Sequence, residues 1–511
     1  MSEAAIPSAS QNWSAARIRL CFYAFVALYY VLQIIVRTFV SNSLELDEAE
    51  QVFLSQWLLL GYGPEPPLYT WLQIGLNKLL GPGVFSLSLL KNLLLFLTLA
   101  FVFESGRILL KNSLTAALAA ASLLFLPQIV WESQRDLTHS VLVTTLAAAA
   151  VLVSIQLARR PSLLRYMAVG LVFGLGLIAK YNFAILAVIL LLLLACRKDT
   201  RQVFRDRRML LVPVLILLVA GPHYIWYLLH LDVSTGSVHK FGLGQSGWPW
   251  EGLISLAEAA ISFLTPLWVI FLAVFWPGRK IKLPWRAARE HIAPRILHSY
   301  FLLLAIVFVL GVLFFQLTEF KSRWMQPLLF IFPVHLFSLL DLKRLGQRSI
   351  RIWLGAVLAV AGLVLILIPG RVVLGPSLDY ITHFNMPYKG LAAHLQEQDL
   401  DSSLILTRGS RLAGNLGLHL SRARILDPVL GRQLMPKSGA EKKAVLVWDV
   451  ERTGEGPPQK VMDFARVKLQ MEPEPEAGRK VELPYKYARD KAQTHTFKYL
   501  LLGKAPGQEQ E

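Results

Sequence analysis

Long apolar runs separated by short polar stretches dominate the first 370 residues. A helix of about 20 apolar residues crosses the hydrocarbon core of a bilayer. By that measure the pattern predicts eleven crossings, at 18–40, 84–103, 114–131, 137–157, 166–179, 182–195, 210–229, 256–276, 298–316, 327–340 and 352–369. The stretch 166–195 is ambiguous by length alone. As a single crossing it would put the basic clusters around Arg159 and Arg197 on opposite faces, against the rule that cytoplasmic loops collect Lys and Arg. Two short helices turning at Lys180-Tyr181-Asn182 keep both clusters on one face and turn Lys180 outward. Residues 41–83 have broken hydrophobicity, with Trp57, Pro64, Pro66, Pro67 and Trp71. That pattern suits helices lying in the membrane interface, in a connector long enough to be functional.

Beyond about Gly370 the pattern changes. Short β-like runs at Ser403–Thr407, Ala423–Leu426, Lys443–Val450 and Thr496–Leu502 alternate with helical stretches such as Tyr388–Gln398. This predicts a small α/β domain over 371–511 following a mostly α, polytopic domain over 1–370. With an odd number of crossings the small domain lies outside. The tail Pro506–Glu511 reads as disordered.

Composition narrows the picture. A chain of 511 residues with 54% hydrophobic and 17% charged residues is too apolar for a soluble protein. Its net charge of +18 sits largely in short loops, at Arg107/Lys111, Arg159/Arg160/Arg165, Arg197–Arg208, Arg279–Arg289 and Lys343–Arg351. The charge therefore reports topology, and no aromatic-basic platform for nucleic acid accompanies it. Cys21 and Cys196 offer no disulfide framework. Arg17 and Arg19 precede a first run too long for a cleavable signal, which predicts a retained signal-anchor helix.

Ionisable residues that topology does not explain collect on the outward loops. Asp47, Glu48, Glu50 and Glu65 lie in the first; Glu132, Arg135 and Asp136 precede a later helix; Lys180, His239-Lys240, Glu319, Lys321 and Arg323 follow. Charges at the membrane edge are costly and tend to be functional. Carboxylates with several cations fit a general base and an anionic substrate. Singly, each has a plainer reading: Asp47 and Asp136 as helix caps, His239 as a solvated histidine, Lys321 and Arg323 as snorkelling side chains. No P-loop, GxGxxG, HExxH or GxSxG occurs, which argues against nucleotide-dependent chemistry.

Several segments, in this order, resemble the GT-C polyprenyl-phosphate-sugar glycosyltransferases. They are Asp47-Glu48 after the first span, Glu65-Pro66-Pro67-Leu68-Tyr69-Thr70-Trp71, Asp136 opening a span, Gly174 to Lys180-Tyr181, and Lys321-Ser322-Arg323-Trp324 before Pro327. Within that group the chain is similar to the lipid A aminoarabinose transferases and lipopolysaccharide galacturonosyltransferases, relatives of the protein O-mannosyltransferases. The resemblance implies inverting transfer of a sugar from a polyprenyl-phosphate carrier to an envelope acceptor such as lipid A or lipopolysaccharide core. It implies a bacterial inner-membrane protein whose active site and C-terminal domain face the periplasm.

Carried over residue by residue, it makes Asp47 the base, with Asp136 and Glu48 as further catalytic carboxylates. Lys180, Lys240, Lys321 and Arg323 hold the donor phosphate, and Glu65 and His239 hold a divalent metal (Zn, Mg or Mn). Departures from the family pattern are Ala49-Glu50-Gln51 after the acidic pair, Tyr181 where glycine is common, and Pro66 where the aminoarabinose enzymes have lysine. The alternatives are a protein O-mannosyltransferase-like enzyme, a non-catalytic assembly subunit, and a transporter of lipid-linked sugars. Against a transporter stands the absence of inverted repeats and of signals for broken midplane helices.

Overall fold

The computed structural model describes residues 14–234, 249–277, 280–428, 443–474, 478–490 and 492–504. The described residues divide into two compact units, one formed by 1–33, 59–69 and 91–364 and the other by 34–58, 70–90 and 365–511.

The first unit is helical. Among the described residues six helices are long and apolar enough to cross a membrane: Ala15–Val40, Val84–Leu110, Thr138–Arg159, Arg207–Leu229, Ile292–Phe315 and Gln347–Leu378. This is a multi-pass membrane protein. Residues 166–195 form two helices, Leu163–Leu177 and Phe183–Cys196, with Lys180-Tyr181-Asn182 in the turn between them. Two expected spans are not continuous. Ser113–Phe125 and Gln128–Arg135 meet at 70°, and Trp250–Leu264 and Leu267–Phe275 at 60°. Pro127 and Pro266 stand at the breaks, where a missing N–H and a ring clash interrupt the ladder. The absence of broken helices was therefore not a sound argument against a transporter.

At one end of this unit Glu104 accepts from Tyr23 (2.8 Å) and pairs with Arg19 (3.1 Å) and Arg107 (2.9 Å). Far along the chain, Trp353 is buried among Phe125, Phe271, Phe275 and Phe337, with ring centroids 5.0–6.0 Å apart. These edge-to-face contacts fix the bent helices against Gln347–Leu374.

The second unit is α/β. Its strands are β1 (Leu404–Leu406), β2 (Arg424–Leu426), β3 (Lys443–Asp449), β4 (Met471–Pro473), β5 (Arg479–Pro484) and β6 (Thr494–Lys504). The sheet order is β2-β1-β3-β6-β4, with β5 also on β6. β1 runs parallel to β2 and β3, and β6 runs antiparallel to β3, β4 and β5. β4 and β5 were not expected from the pattern. Pro473 and Pro484 interrupt any alternation there, and both strands exist because β6 is long enough to pair them in succession along one edge.

Part of the first loop is built into this unit. Helix Leu46–Leu54 packs on Ser410–His419 so closely that a Cβ on Gly414 would fall within 1.8–2.6 Å of the Ala49 main chain. The Asn415 carboxamide accepts from Leu44 N (2.8 Å) and donates to Leu44 O (3.2 Å). The Gln56 carboxamide does the same for Ile425 (3.1 and 3.2 Å), satisfying the backbone of edge strand β2. Trp57 packs on the core of Leu406, Trp448, Val461 and Leu502.

Candidate active site

In the helical unit the candidate residues gather around two irregular segments. Residues 128–132 form a π-helical turn, followed by a short helix that ends at Asp136. Leu137 is left-handed (φ 53°, ψ 76°), and Thr138 opens the next helix. A β-carbon makes that conformation costly, by about 1–3 kcal/mol, and such strain concentrates at functional sites. The N-cap position belongs to Leu137, one residue after Asp136.

Lys91, only 1% exposed, donates to the Asp136 main-chain oxygen at 3.3 Å. One turn into the helix, Ser140 Oγ accepts from Lys180 Nζ at 2.9 Å. The buried His139 ring lies 5.6 Å from that of Tyr69. Asp136 and Lys180 are therefore brought to the same helix start.

The 180–182 turn also anchors its neighbours. Asn182 Nδ2 donates to Trp324 O (3.3 Å), and Gln128 Nε2 donates to Ser322 Oγ (2.8 Å). These bonds tie helix Ser322–Leu329 to both irregular segments. Lys321, at that helix's N-cap, and Arg323 are exposed. Lys321 Nζ lies 5.9 Å from the centre of the Trp324 ring.

Glu65 sits in a tight turn that Tyr62 N closes onto Glu65 O (3.3 Å). Leu68 N donates to Ile178 O (3.1 Å), and His223 Nδ1 meets Leu60 O (2.7 Å), which seats the turn against the 178–181 region. His223 Nε2 lies 3.3 Å from Tyr181 Oη. Burial pushes the Tyr181 phenol well above its ordinary value, and Tyr227, Tyr224 and Glu65 add to the shift. His239 and Lys240 lie outside the described residues. Among the described residues no group of three His, Cys, Asp or Glu could hold a metal. Of the two expected metal ligands, Glu65 alone lies among the described residues.

In the other unit the acidic pair divides its work. Glu48 is 1% exposed and pairs with Arg37 at 2.6 Å; Arg37 also donates to Ser41 O (3.0 Å) and Ser43 O (2.9 Å). The Arg37 guanidinium lies 4.6 Å from the Phe384 ring centre. Glu48 thus fastens the chain reversal between the first span and helix Leu46–Leu54, and the expectation that it is catalytic gives way to a structural role. Glu45 pairs with Arg411 at 3.5 Å. Asp47 occupies the first turn of the helix and is half-buried, while Glu45 holds the N-cap position. Helix dipole and free N–H groups there favour a carboxylate.

Sequence reading missed Arg37 and Lys91. Lys91 carried a signal, as a cation inside an apolar run. Arg37 looked like an ordinary end-of-span arginine.

The chain is 33% identical over 477 residues to the lipopolysaccharide core galacturonosyltransferase RgtB of Rhizobium johnstonii, an alignment covering 91% of this chain and 94% of that protein. This chain belongs to that family of GT-C glycosyltransferases. RgtA of the same organism is 30% identical over 438 residues, covering 84% and 86% of the two chains. Residues 64–226 match the family described as dolichyl-phosphate-mannose-protein mannosyltransferase. The fold is that of ArnT from Cupriavidus metallidurans, solved bound to undecaprenyl phosphate (TM-score 0.59, 14% identity, 95% of this chain and 98% of that one) and in the apo state (TM-score 0.58, 15% identity). The protein is accordingly a membrane glycosyltransferase of the GT-C superfamily. Membership decides against the transporter and the non-catalytic subunit.

Proposed function

We propose that this glycosyltransferase moves a uronic acid of the galacturonic type from a polyprenyl-phosphate carrier to lipopolysaccharide core or lipid A, on the periplasmic side of the inner membrane. The observation that carries the reading is the match to a lipopolysaccharide core galacturonosyltransferase along 94% of its length. In this reading the membrane domain spans 1–370 and the domain over 371–511 is periplasmic.

Inverting displacement needs a base on the acceptor hydroxyl and cations on the departing phosphate. Asp47 is assigned as the base, because it is the less buried member of the pair and Glu48 is occupied by Arg37. Lys180, Lys321 and Arg323 are assigned to the phosphate, Arg323 through its bidentate fork. Asp136 orients the acceptor or shares the base's role. A divalent ion held by Glu65 and His239, and a contact from Lys240, stay part of the proposal.

The test is mass spectrometry of lipid A and core glycans from cells with the wild-type chain, without it, or with Asp47→Asn. Loss of one uronic-acid-sized addition in both deficient strains is expected. Loss of a hexose-sized addition would change the sugar, glycans lost from protein would favour the O-mannosyltransferase-like acceptor, and an unchanged glycolipid profile would overturn the reading.

A further inference from the structure

The unit that carries Asp47 also carries a knot of positive charge. Three chain segments are laced together beside the acidic helix. Ser41 Oγ donates to Phe384 O and Ser43 Oγ to Met386 O, both at 2.6 Å. Asn385 joins the second and third segments, donating to Lys486 O (3.0 Å) and accepting at its main-chain oxygen from Lys486 N (2.8 Å). Tyr487 Oη closes the ring onto Val40 O at 3.0 Å.

The lacing sets the Lys486 backbone against Asn385, whose neighbour Phe384 lies 4.6 Å from the Arg37 guanidinium, and Lys389 follows in the first turn of helix Tyr388–Glu397. Arg37 has Glu48 as its carboxylate. Among the described residues neither Lys389 nor Lys486 has a carboxylate within ion-pair distance. The neighbouring carboxylate Glu45 is taken by Arg411. Lys486 is half-buried, and its amine leans 5.1 Å from the Tyr487 ring centre. Burial lowers its affinity for a proton, and the charges of Arg37 and Lys389 lower it further. The same Lys389 charge reaches His419, on the helix that packs against the Asp47 helix. Lysine charges that lack a carboxylate partner and stand near other cations cost the fold stability. An incoming oxyanion removes that cost, which is how cationic subsites for carboxylate and phosphate are built.

We propose that Lys389 and Lys486, beside Arg37, form a subsite for an oxyanion of the acceptor glycolipid, a carboxylate or a phosphate flanking the hydroxyl that receives the sugar. The proposal rests on the transferase reading above. It assigns the anion to the acceptor because the same unit holds Asp47, and the base must stand at the acceptor. Lys389 and Lys486 are binding residues here, and neither touches the reacting atoms.

The experiment uses the purified full chain in nanodiscs and short-core lipopolysaccharide as the probe. The probe is used untreated, with its phosphates removed by phosphatase, or with its carboxylates amidated. Direct binding and transfer are both measured for wild type, Lys389→Gln/Lys486→Gln and Lys389→Arg/Lys486→Arg. The Gln pair is expected to weaken binding and raise the acceptor KM about tenfold, with kcat and donor KM unchanged, and the Arg pair to restore both. One of the two treated probes should bind wild type as weakly as the Gln pair binds untreated probe, naming the oxyanion. Unchanged acceptor binding in the Gln pair, or a raised donor KM in place of the acceptor KM, would overturn the subsite. Binding that depends on the lysines without any transfer would leave the subsite standing and sink the transferase reading. A Gln pair that fails to fold would leave the comparison of treated probes on wild type to decide, equal binding of all three probes overturning the proposal.

Discussion

Two acidic regions of this molecule are held in place by opposite means. Around Glu48 the backbone is ordinary and the side chains do the holding, through one buried ion pair, two arginine-to-carbonyl bonds and a carboxamide that imitates a peptide. Around Asp136 the backbone itself is irregular, with a π-helical turn, an interrupted helix and a left-handed leucine in ten residues. The difference shows two ways to hold an acidic segment in place. A side-chain network tolerates no missing member, because each buried charge it leaves behind is expensive. A strained backbone stores its cost locally and survives substitution of the side chains it displays.

The sharpest way to break the comparison lies within the acidic pair. Asp47→Asn is expected to reduce transfer by about 10²–10⁴-fold, the usual contribution of a general base, with abundance and unfolding temperature unchanged. Glu48→Ala is expected to do the reverse, destabilising the fold by about 3–5 kcal/mol as Arg37 loses its partner. Denaturant unfolding beside a transfer assay separates them, and an unstable Asp47→Asn with a stable Glu48→Ala would invert the assignment.

In the other region, replacing Lys91 with methionine keeps the volume and removes a buried charge. Stability should hold or rise, while transfer should fall about 10–100-fold as Asp136 loses a charged donor on its main chain, worth about 1.5–3 kcal/mol. A variant that unfolds would make Lys91 a structural group.

Gly414→Ala should cost about 1–3 kcal/mol, since the new methyl meets the Ala49 main chain, and rigid backbone cannot yield as a side chain would. A neutral outcome would mean that the acidic helix is seated more loosely than its hydrogen bonds imply.

The smallest expected effect is on pH dependence. Burial lowers the proton affinity of His419; the Lys389 charge adds to this, and an Asn42 main-chain bond opposes it. A histidine depressed in the fold binds protons more readily when unfolded, so its contribution is present above about pH 6.5 and is lost as pH falls toward the folded value. His419→Gln should flatten the slope of stability below about pH 6.5. A slope that persists unchanged would assign it to other groups.

Much of this was legible in the residues. Apolar run lengths gave the helical membrane domain and the turn at Lys180, and alternating short runs gave β1, β2, β3 and β6. Pro127 and Pro266 were visible in the sequence but their breaks were not foreseen, because a proline also sits within the helices Leu211–Leu229 and Gln347–Leu374. Whether proline breaks a helix depends on what else can hold its freed backbone groups.

The sequence alone determined which groups are present: carboxylates and cations at the ends of apolar runs, in an order matching a family of transferases. Composition and period suffice for that, since partitioning into a membrane is decided residue by residue. Tertiary structure decided what each charge is for. Asp47 and Glu48 are neighbours with equal claims in the chain, and only the arginine that the fold brings to Glu48 separates them. Lys389 and Lys486 lie almost a hundred residues apart and acquire a common role only where Asn385 joins their segments. Partner choice is a long-range property, set by packing that no local pattern encodes.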